Sequence, residues 1–456
     1  MKVNCNLPNK TQEFYELAKL FENHLDKNSI LEINITKNII ILKFVNKYIK
    51  IEKNLVCLDT ISIKREIYTI LSTQAAVKLP WGILTGVRPT KIVQKLLKEG
   101  QPVEKIEQTL RHKYLISDNK ARLAIEVALV AKQILDKNKA TDLSLYINIP
   151  FCPSRCSYCS FPSFTLTLKQ HKVDDYLTAL ATEISAITNN LDPKYQIKNI
   201  YIGGGTPTSL SAKQLQFLMA HIDKNVDMSS VTEYTVEAGR PETITAEKLA
   251  IFKKYHVDRI SINPQTFTQN TLDLIGRNHN VKDIYTAVDL VRKIGNFDIN
   301  MDIILGLPNE TINNITHTIT KLADLSPENI TIHTMAIKSA SALRQQNYKA
   351  DESAIKAMID FSQQQMIRMG YRPYYMYRQK NILGNFENVG YAKPNKTCIY
   401  NVQIIEEAQT ILALGAGASS KFIATQNRFI NVKGIEEYIA RIDEMISKKQ
   451  SLLLGG

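Results

Sequence analysis

Cys152, Cys156 and Cys159 fall within Phe151-Cys152-Pro153-Ser154-Arg155-Cys156-Ser157-Tyr158-Cys159, a C-x3-C-x2-C run with an aromatic residue just ahead of its last cysteine. Three thiolates in one tight loop suit three irons of a cubane [4Fe–4S] cluster, whose full protein complement would be four cysteines. The fourth iron is then open to a substrate or cosubstrate, so such a cluster does chemistry as well as carrying electrons. A structural zinc site wants four closed ligands, usually from two short pairs, whereas Cys5, Cys57 and Cys398 stand alone. A disulfide framework suits short secreted chains, not 456 residues with six cysteines.

The elements that must position this loop show a regular beat. From residue 145 onward, short β-rich segments (145–149, 199–202, 233–237, 259–263, 299–304 and 329–336) alternate with amphipathic helical runs such as 173–188, 213–222, 246–255 and 283–294. Six βα repeats imply a parallel sheet with right-handed crossovers. Six is fewer than the eight of a closed barrel, so the expected fold is α/β, a partial, open (β/α)6 barrel. Upstream, residues 31–58 alternate apolar and polar residues as strands and hairpins do. Residues 62–140 read as helical, with Thr90 able to cap a helix carrying Ile92, Val93, Leu96 and Leu97. The expected division is an N-terminal α/β domain (1–140), the barrel core (141–345) and a C-terminal cap or substrate domain (346–456).

In βα barrels the chemistry sits where the strands end. The cysteine loop follows the first strand and Gly203-Gly204-Gly205-Thr206-Pro207 the second; Glu237 ends the third, Gln265 lies past the fourth, Asp302 is in the fifth, and Ala336 closes the sixth. All converge on one mouth. A glycine triplet exposes main-chain N–H and C=O groups to a ligand. Glu237 and Asp302 suit an ammonium or a ribose diol, and Arg277 suits a carboxylate. Met singly, each would more often be structural; together they match the parts of S-adenosylmethionine.

The cysteine loop on Tyr146-Ile147-Asn148-Ile149-Pro150-Phe151-Cys152, with GGGTPT about fifty residues on, resembles the radical SAM superfamily. More narrowly, the chain is similar to the oxygen-independent coproporphyrinogen III oxidase family. The further motifs agree in order: Thr235-Val236-Glu237, Asn263-Pro264-Gln265-Thr266-Phe267, Arg277, 300–308 and Gly415-Ala416-Gly417-Ala418-Ser419. The segments 79–90 (LPWGILTGVRPT) and 377–381 (YRQKN) look like the HemZ-type branch, where an N-terminal domain precedes the barrel. The resemblance implies that Cys152, Cys156 and Cys159 bind the cluster. Gly204, Gly205 and Thr206 would meet the methionine part of S-adenosylmethionine, and Glu237, Gln265, Arg277 and Asp302 its carboxylate and ribose. Tyr146, Tyr158 and Ala336 would line the nucleoside pocket. It also implies a tetrapyrrole substrate, whose propionates become vinyl groups on the way to protoporphyrinogen IX. Four propionates call for basic residues, for which Arg344, Arg372, Arg378 and Lys380, beyond the sixth strand, are the candidates.

Two departures bear on the substrate. Related dehydrogenases carry a further cysteine where this chain has Phe161, and histidine where it has Asn148; Phe161 also fits the related heme chaperones. Those chaperones begin almost directly at the barrel, unlike this chain.

Net charge is +13, and residues 1–140 hold 24 Lys and Arg against 14 Asp and Glu, so most of the excess lies there. A nucleic-acid partner, as in tRNA-modifying radical enzymes, is one reading, but a solvated surface in a Lys-rich composition is favoured. The first residues lack a signal-peptide pattern, and apolar runs fall short of the ~20 residues of a membrane span. The expectation is a cytoplasmic, monomeric protein served by an electron donor such as flavodoxin or ferredoxin.

Overall fold

The structure is a computed structural model that describes all residues except 7, 37–38, 57–58, 87, 337–347, 349–350, 380–381 and 455–456. It contains two compact units: residues 1–129 with 377–380 and 385–387, and residues 130–376 with 381–384 and 388–456. Among the described residues, no helix is long and apolar enough to cross a membrane.

The first unit starts with β1 (Lys2–Cys5) and α1 (Pro8–Lys19), then β2 (Ile30–Ile35), β3 (Ile39–Val45) and β4 (Lys50–Val56). The sheet order is β1-β2-β3-β4, parallel only between β1 and β2. The two-residue period of the sequence becomes a buried face: Leu31 and Ile33 of β2 and Ile40, Leu42 and Phe44 of β3 are buried in one core. Phe14 and Leu17 of α1 and Ile63, Ile67 and Leu71 of α2 (Thr60–Ala75) complete it. Tyr48 lies in the β3–β4 turn, where Asn46 Oδ1 accepts from the Tyr48 and Ile49 amides at 2.9 and 2.7 Å. In α3 (Thr90–Lys98), Pro89 takes the cap position and Thr90 the first turn, correcting the expected cap; a proline's fixed φ and missing N–H are tolerated at a helix start. Helices α4 (Val103–Gln108) and α5 (Asp118–Leu135) follow. Trp81 of the LPWG segment is buried and donates from Nε1 to Glu387 Oε2 at 2.8 Å, and Lys120 pairs with the same carboxylate.

The second unit runs β5 (Asp142–Ile149), a two-residue pair β6 (Phe151–Cys152) and β7 (Phe164–Thr165), α6 (Leu166–Lys169), α7 (Val173–Thr188), β8 (Gln196–Gly204), α8 (Ala212–Asn225), β9 (Glu233–Glu237), α9 (Ala246–Lys254) and β10 (Arg259–Ser261). It continues with α10 (Gln269–Leu274), α11 (Val281–Ile294), β11 (Asp298–Leu305), α12 (Ile312–Leu325) and β12 (Asn329–Thr334). The six expected strands are adjacent and parallel in chain order: β5-β8-β9-β10-β11-β12. Side-chain caps start α8, α9 and α11, with reciprocal capping boxes at Ser211/Gln214 for α8 and Asn280/Asp283 for α11.

The described residues of 346–456 extend the same sheet at both edges. They add β13 (Arg372–Tyr377) and β14 (Asn388–Ala392) beyond β12, and β15 (Thr410–Leu414), β16 (Ser419–Phe422) and β17 (Asn427–Ile430) beyond β5. β15 is parallel to β5, a seventh parallel strand, whereas β14 and β16 pair antiparallel. The sheet ends at β13 and β17 and so stays open.

One face of the parallel strands is polar along its length. Glu233, Thr235 and Glu237 of β9, Arg259 and Ser261 of β10, Asn300 and Asp302 of β11, and Asn329, Thr331 and His333 of β12 occupy alternate positions. The residues between them, such as Val236, Ile260, Met301, Ile303 and Ile332, are buried core. Where the strands begin, Glu233 accepts from Arg259 Nη1 at 2.6 Å and from the Ile399 and Tyr400 amides at 2.9 and 3.1 Å. The positive end of the helix Ile399–Glu406 is thereby seated on a buried carboxylate. The opposite end of the strands carries the site.

Candidate active site

The cysteine loop is held by main-chain hydrogen bonds on both sides. Gly205 N donates to Ile149 O at 2.9 Å and Thr206 N to Phe151 O at 2.7 Å, tying the glycine triplet to the strand that enters the loop. On the other side, Ser157 N donates to Ile275 O at 3.0 Å, and within the loop Cys159 N reaches Cys156 O at 3.1 Å. None of the three glycines can be replaced without movement, and Gly204 and Gly205 meet the closest contacts. Gly204 has φ +117°, and a Cβ there would lie 2.1 Å from Asn148 Oδ1. A Cβ on Gly205 would lie 2.5 Å from Phe151 O and 3.0 Å from Cys152 Sγ.

All three cysteines are free; Cys156 is buried and the other two are partly so. Thr206 Oγ1 lies 3.5 Å from Cys152 Sγ, and Arg240 Nη1 lies 3.2 Å from Cys156 Sγ. Burial pushes the Cys159 thiol up, with the Phe161 backbone working against it. Among the described residues no three His, Cys, Asp or Glu side chains converge on a point fit for one ion. Three thiolates spread over three irons have no need to converge so tightly.

Beside the loop, Glu237 accepts from Tyr201 Oη at 2.7 Å and from Gly204 N at 3.1 Å. Burial pushes its carboxyl up to about 7, and the nearby Asp302 charge adds to the effect. Burial also acts to raise Asp302, but His333, with Nε2 at 3.6 Å, and Asn300, donating at 2.9 Å, outweigh it and hold that carboxyl low. Gln265 has φ +67° and is fixed through its backbone, its N–H donating to Asp302 O at 2.9 Å and its carbonyl accepting from Ile304 N at 3.0 Å. Arg277 is buried and donates to Gly239 O at 2.8 Å and to Asn263 O.

Tyr146, Tyr201 and Tyr400 form a stack below the mouth, with ring centroids 4.4 to 6.1 Å apart. Tyr146 Oη donates to Asn148 Oδ1 at 3.2 Å, and Asn148 Nδ2 donates to Ala416 O at 2.6 Å, which ties the Gly415–Ser419 motif to the end of β5. Tyr158 packs against an apolar cluster of Leu272, Ile275, Ile304, Leu307 and Met335. Ala336, just past β12, makes a β-bridge with Ile382.

The cysteines, glycines, Thr206, Glu237, Gln265, Arg277, Asp302, Tyr158 and Ala336 thus gather at the ends of successive strands, and Tyr146 lies beneath them. Of the basic candidates, Arg372 does not join them. Arg372 is exposed beside Tyr371, whose hydroxyl donates to Pro327 O at 2.5 Å near the start of β12, at the far end of the strands from the mouth. Arg378 is buried in the first unit, where it donates to Leu84 O at 2.7 Å, to Gly86 O and to Asn385, and burial pushes it down to about 10. Arg344 and Lys380 lie outside the described residues. Tyr201, Arg240, His333 and Tyr400 were missed by sequence reasoning. The first three were legible in principle: Tyr201 stands two residues before the glycine triplet, Arg240 three past Glu237, and His333 in step with Asn329 and Thr331.

The mouth fits an iron–sulfur cluster with a polar, zwitterionic cosubstrate. Asn263 Oδ1, Gln265 Oε1 and Arg277 Nε are buried there without a hydrogen-bond partner, and such atoms are costly unless a ligand meets them. Residues 146–322 match the Radical SAM superfamily model. The oxygen-independent coproporphyrinogen-III oxidase-like protein HemZ of Bacillus subtilis is 40% identical over 392 residues, covering 83% of this chain and 78% of that protein. The heme chaperone HemW of the same organism is 33% identical over 303 residues, covering 66% and 76%. Among solved structures, the radical SAM enzyme coproporphyrinogen III oxidase (HemN) from Escherichia coli superposes with a TM-score of 0.55 at 23% identity, covering 70% of this chain and 73% of that one, a likeness of fold. The chain belongs to the radical SAM superfamily and, within it, to the family of HemZ-type coproporphyrinogen-III-oxidase-like proteins. The superfamily uses a [4Fe–4S] cluster and S-adenosylmethionine.

Proposed function

We propose that the chain is an oxygen-independent coproporphyrinogen III dehydrogenase, converting two propionates of coproporphyrinogen III to vinyl groups to give protoporphyrinogen IX. What carries the reading is the gathering of three cysteines, the glycine triplet and the Glu237–Asp302 pair at one mouth, in a chain 40% identical to a coproporphyrinogen-III oxidase-like protein. Cys152, Cys156 and Cys159 would hold the cluster. Gly204, Gly205 and Thr206 would present main chain to the methionine part of S-adenosylmethionine, with Glu237, Gln265, Arg277 and Asp302 binding its charged and hydroxyl groups. When bound, cluster and cosubstrate together supply a carbon-centred radical that takes a hydrogen atom, chemistry that belongs to the cofactors. The protein positions and shields it: the tyrosine stack closes the pocket below, and the apolar cluster around Tyr158 excludes water beside it. Each propionate then loses one β-hydrogen atom, one electron to an external acceptor, and carbon dioxide. A one-electron donor of the flavodoxin or ferredoxin kind would serve the cluster.

A second reading is a heme chaperone, supported by 33% identity to HemW and by Phe161, which is 43% exposed next to the cysteine loop. Anaerobic reconstitution with reductant, S-adenosylmethionine and coproporphyrinogen III separates the two. The proposed activity gives 5′-deoxyadenosine together with protoporphyrinogen IX. Deoxyadenosine without protoporphyrinogen, or tight heme binding without either, contradicts it.

A further inference from the structure

The three cysteines are not equivalent. Cys152 has a hydroxyl at 3.5 Å, and Cys159 is held by backbone, but Cys156 is buried against a guanidinium. Arg240 leaves the mouth end of β9 and is itself 3% exposed. Its Nη1 donates to Cys156 Sγ at 3.2 Å, and its Nη2 donates to Ser154 O at 3.4 Å and to Ser154 Oγ. Its Nε lies 3.4 Å from Glu242 Oε1, and Glu242 Oε2 lies 3.4 Å from Nδ1 of the buried His279. Arg277 is another guanidinium near this sulfur.

We infer that Arg240, aimed by Glu242 and His279, is a positioning residue that raises the reduction potential of the cluster through Cys156. The inference rests on Cys156 being a cluster ligand. Reduction adds one negative charge to the cluster, part of which falls on its cysteine sulfurs. A buried N–H donor and positive charge at one sulfur stabilise that reduced form, and hydrogen bonds to ligand sulfurs are among the known determinants of cluster potential. Glu242 acts in the opposite sense, partly neutralising Arg240, and His279 lies against Glu242. The chain Cys156–Arg240–Glu242–His279 therefore links the cluster to a charge balance set by residues 240–242, just past β9, and by His279, just ahead of α11.

The test is an anaerobic redox titration of the reconstituted full-length chain followed by electron paramagnetic resonance, without S-adenosylmethionine, on wild type, Arg240→Gln and Glu242→Gln. Iron and sulfide analysis precedes each titration. With the cluster intact, Arg240→Gln is expected to lower the reduced-to-oxidised ratio at a fixed poise about tenfold, ~59 mV for one electron. Glu242→Gln is expected to raise it. Unchanged midpoints in both variants overturn the inference. So does an Arg240→Gln variant that loses S-adenosylmethionine affinity at an unaltered midpoint, since Arg240 would then belong to the cosubstrate. If Arg240→Gln does not retain iron, Glu242→Gln decides, because it keeps the guanidinium. A wild-type chain that binds no cluster sinks the cysteine assignment instead.

Discussion

At the scale of single residues, the two mouth carboxylates sit in opposite protonation regimes. Asp302, with His333 and Asn300 against it, stays ionised at neutral pH, while Glu237 is raised to about 7 by burial. The sign for stability follows. Between its ordinary pKa near 4.5 and about 7, the folded chain keeps a proton on Glu237 that the unfolded chain has lost. That contribution is full below pH 4.5 and is lost as pH rises through 7, a change on the order of 3 kcal/mol. A cationic ligand prefers the ionised carboxylate, so the reverse sign applies to binding. Calorimetric titration of S-adenosylmethionine should show wild-type affinity rising severalfold from pH 6 to 8. Glu237→Gln should bind more weakly, with a nearly flat profile. Equal slopes in the two proteins would remove Glu237 from the cosubstrate site.

At the scale of elements, the βα beat was legible because each strand is short, apolar on one face and bounded by an amphipathic helix. α7, foreseen as 173–188, is present as Val173–Thr188. The polar face of the strands was equally present in the sequence but easily passed over. Glu233-Tyr234-Thr235-Val236-Glu237 and Asn329-Ile330-Thr331-Ile332-His333 alternate with period two, and only the apolar half was used to recognise them. β15 was missed for the opposite reason. Thr410-Ile411-Leu412-Ala413-Leu414 is a short, almost wholly buried run with no alternation to mark its faces. The glycine triplet offers the test at this scale. Gly205→Ala would drive a Cβ into the Phe151 carbonyl and Cys152, whereas a Cβ on Gly86 meets nothing within 4 Å. After reconstitution, Gly205→Ala should hold less than half the wild-type iron and Gly86→Ala the full amount. Equal iron in both would show that the close approach does not set the loop.

At the scale of the whole molecule, the cysteine loop announces the kind of chemistry, and what surrounds it bears on the target. Long-range contacts were the part hidden from the sequence. Nothing local marks Arg378 as buried against the Leu84 carbonyl nearly three hundred residues upstream, or Arg372 as standing at the wrong end of the strands. A stretch rich in basic residues reads as an anion site until topology assigns its members to different places. The claim that the mouth acts on propionate side chains is tested most directly with coproporphyrinogen III deuterated at the propionate β-carbons. After anaerobic turnover, mass spectrometry should find deuterium in 5′-deoxyadenosine in step with the vinyl groups formed. Deoxyadenosine that carries no deuterium, with coproporphyrinogen unchanged, would contradict it.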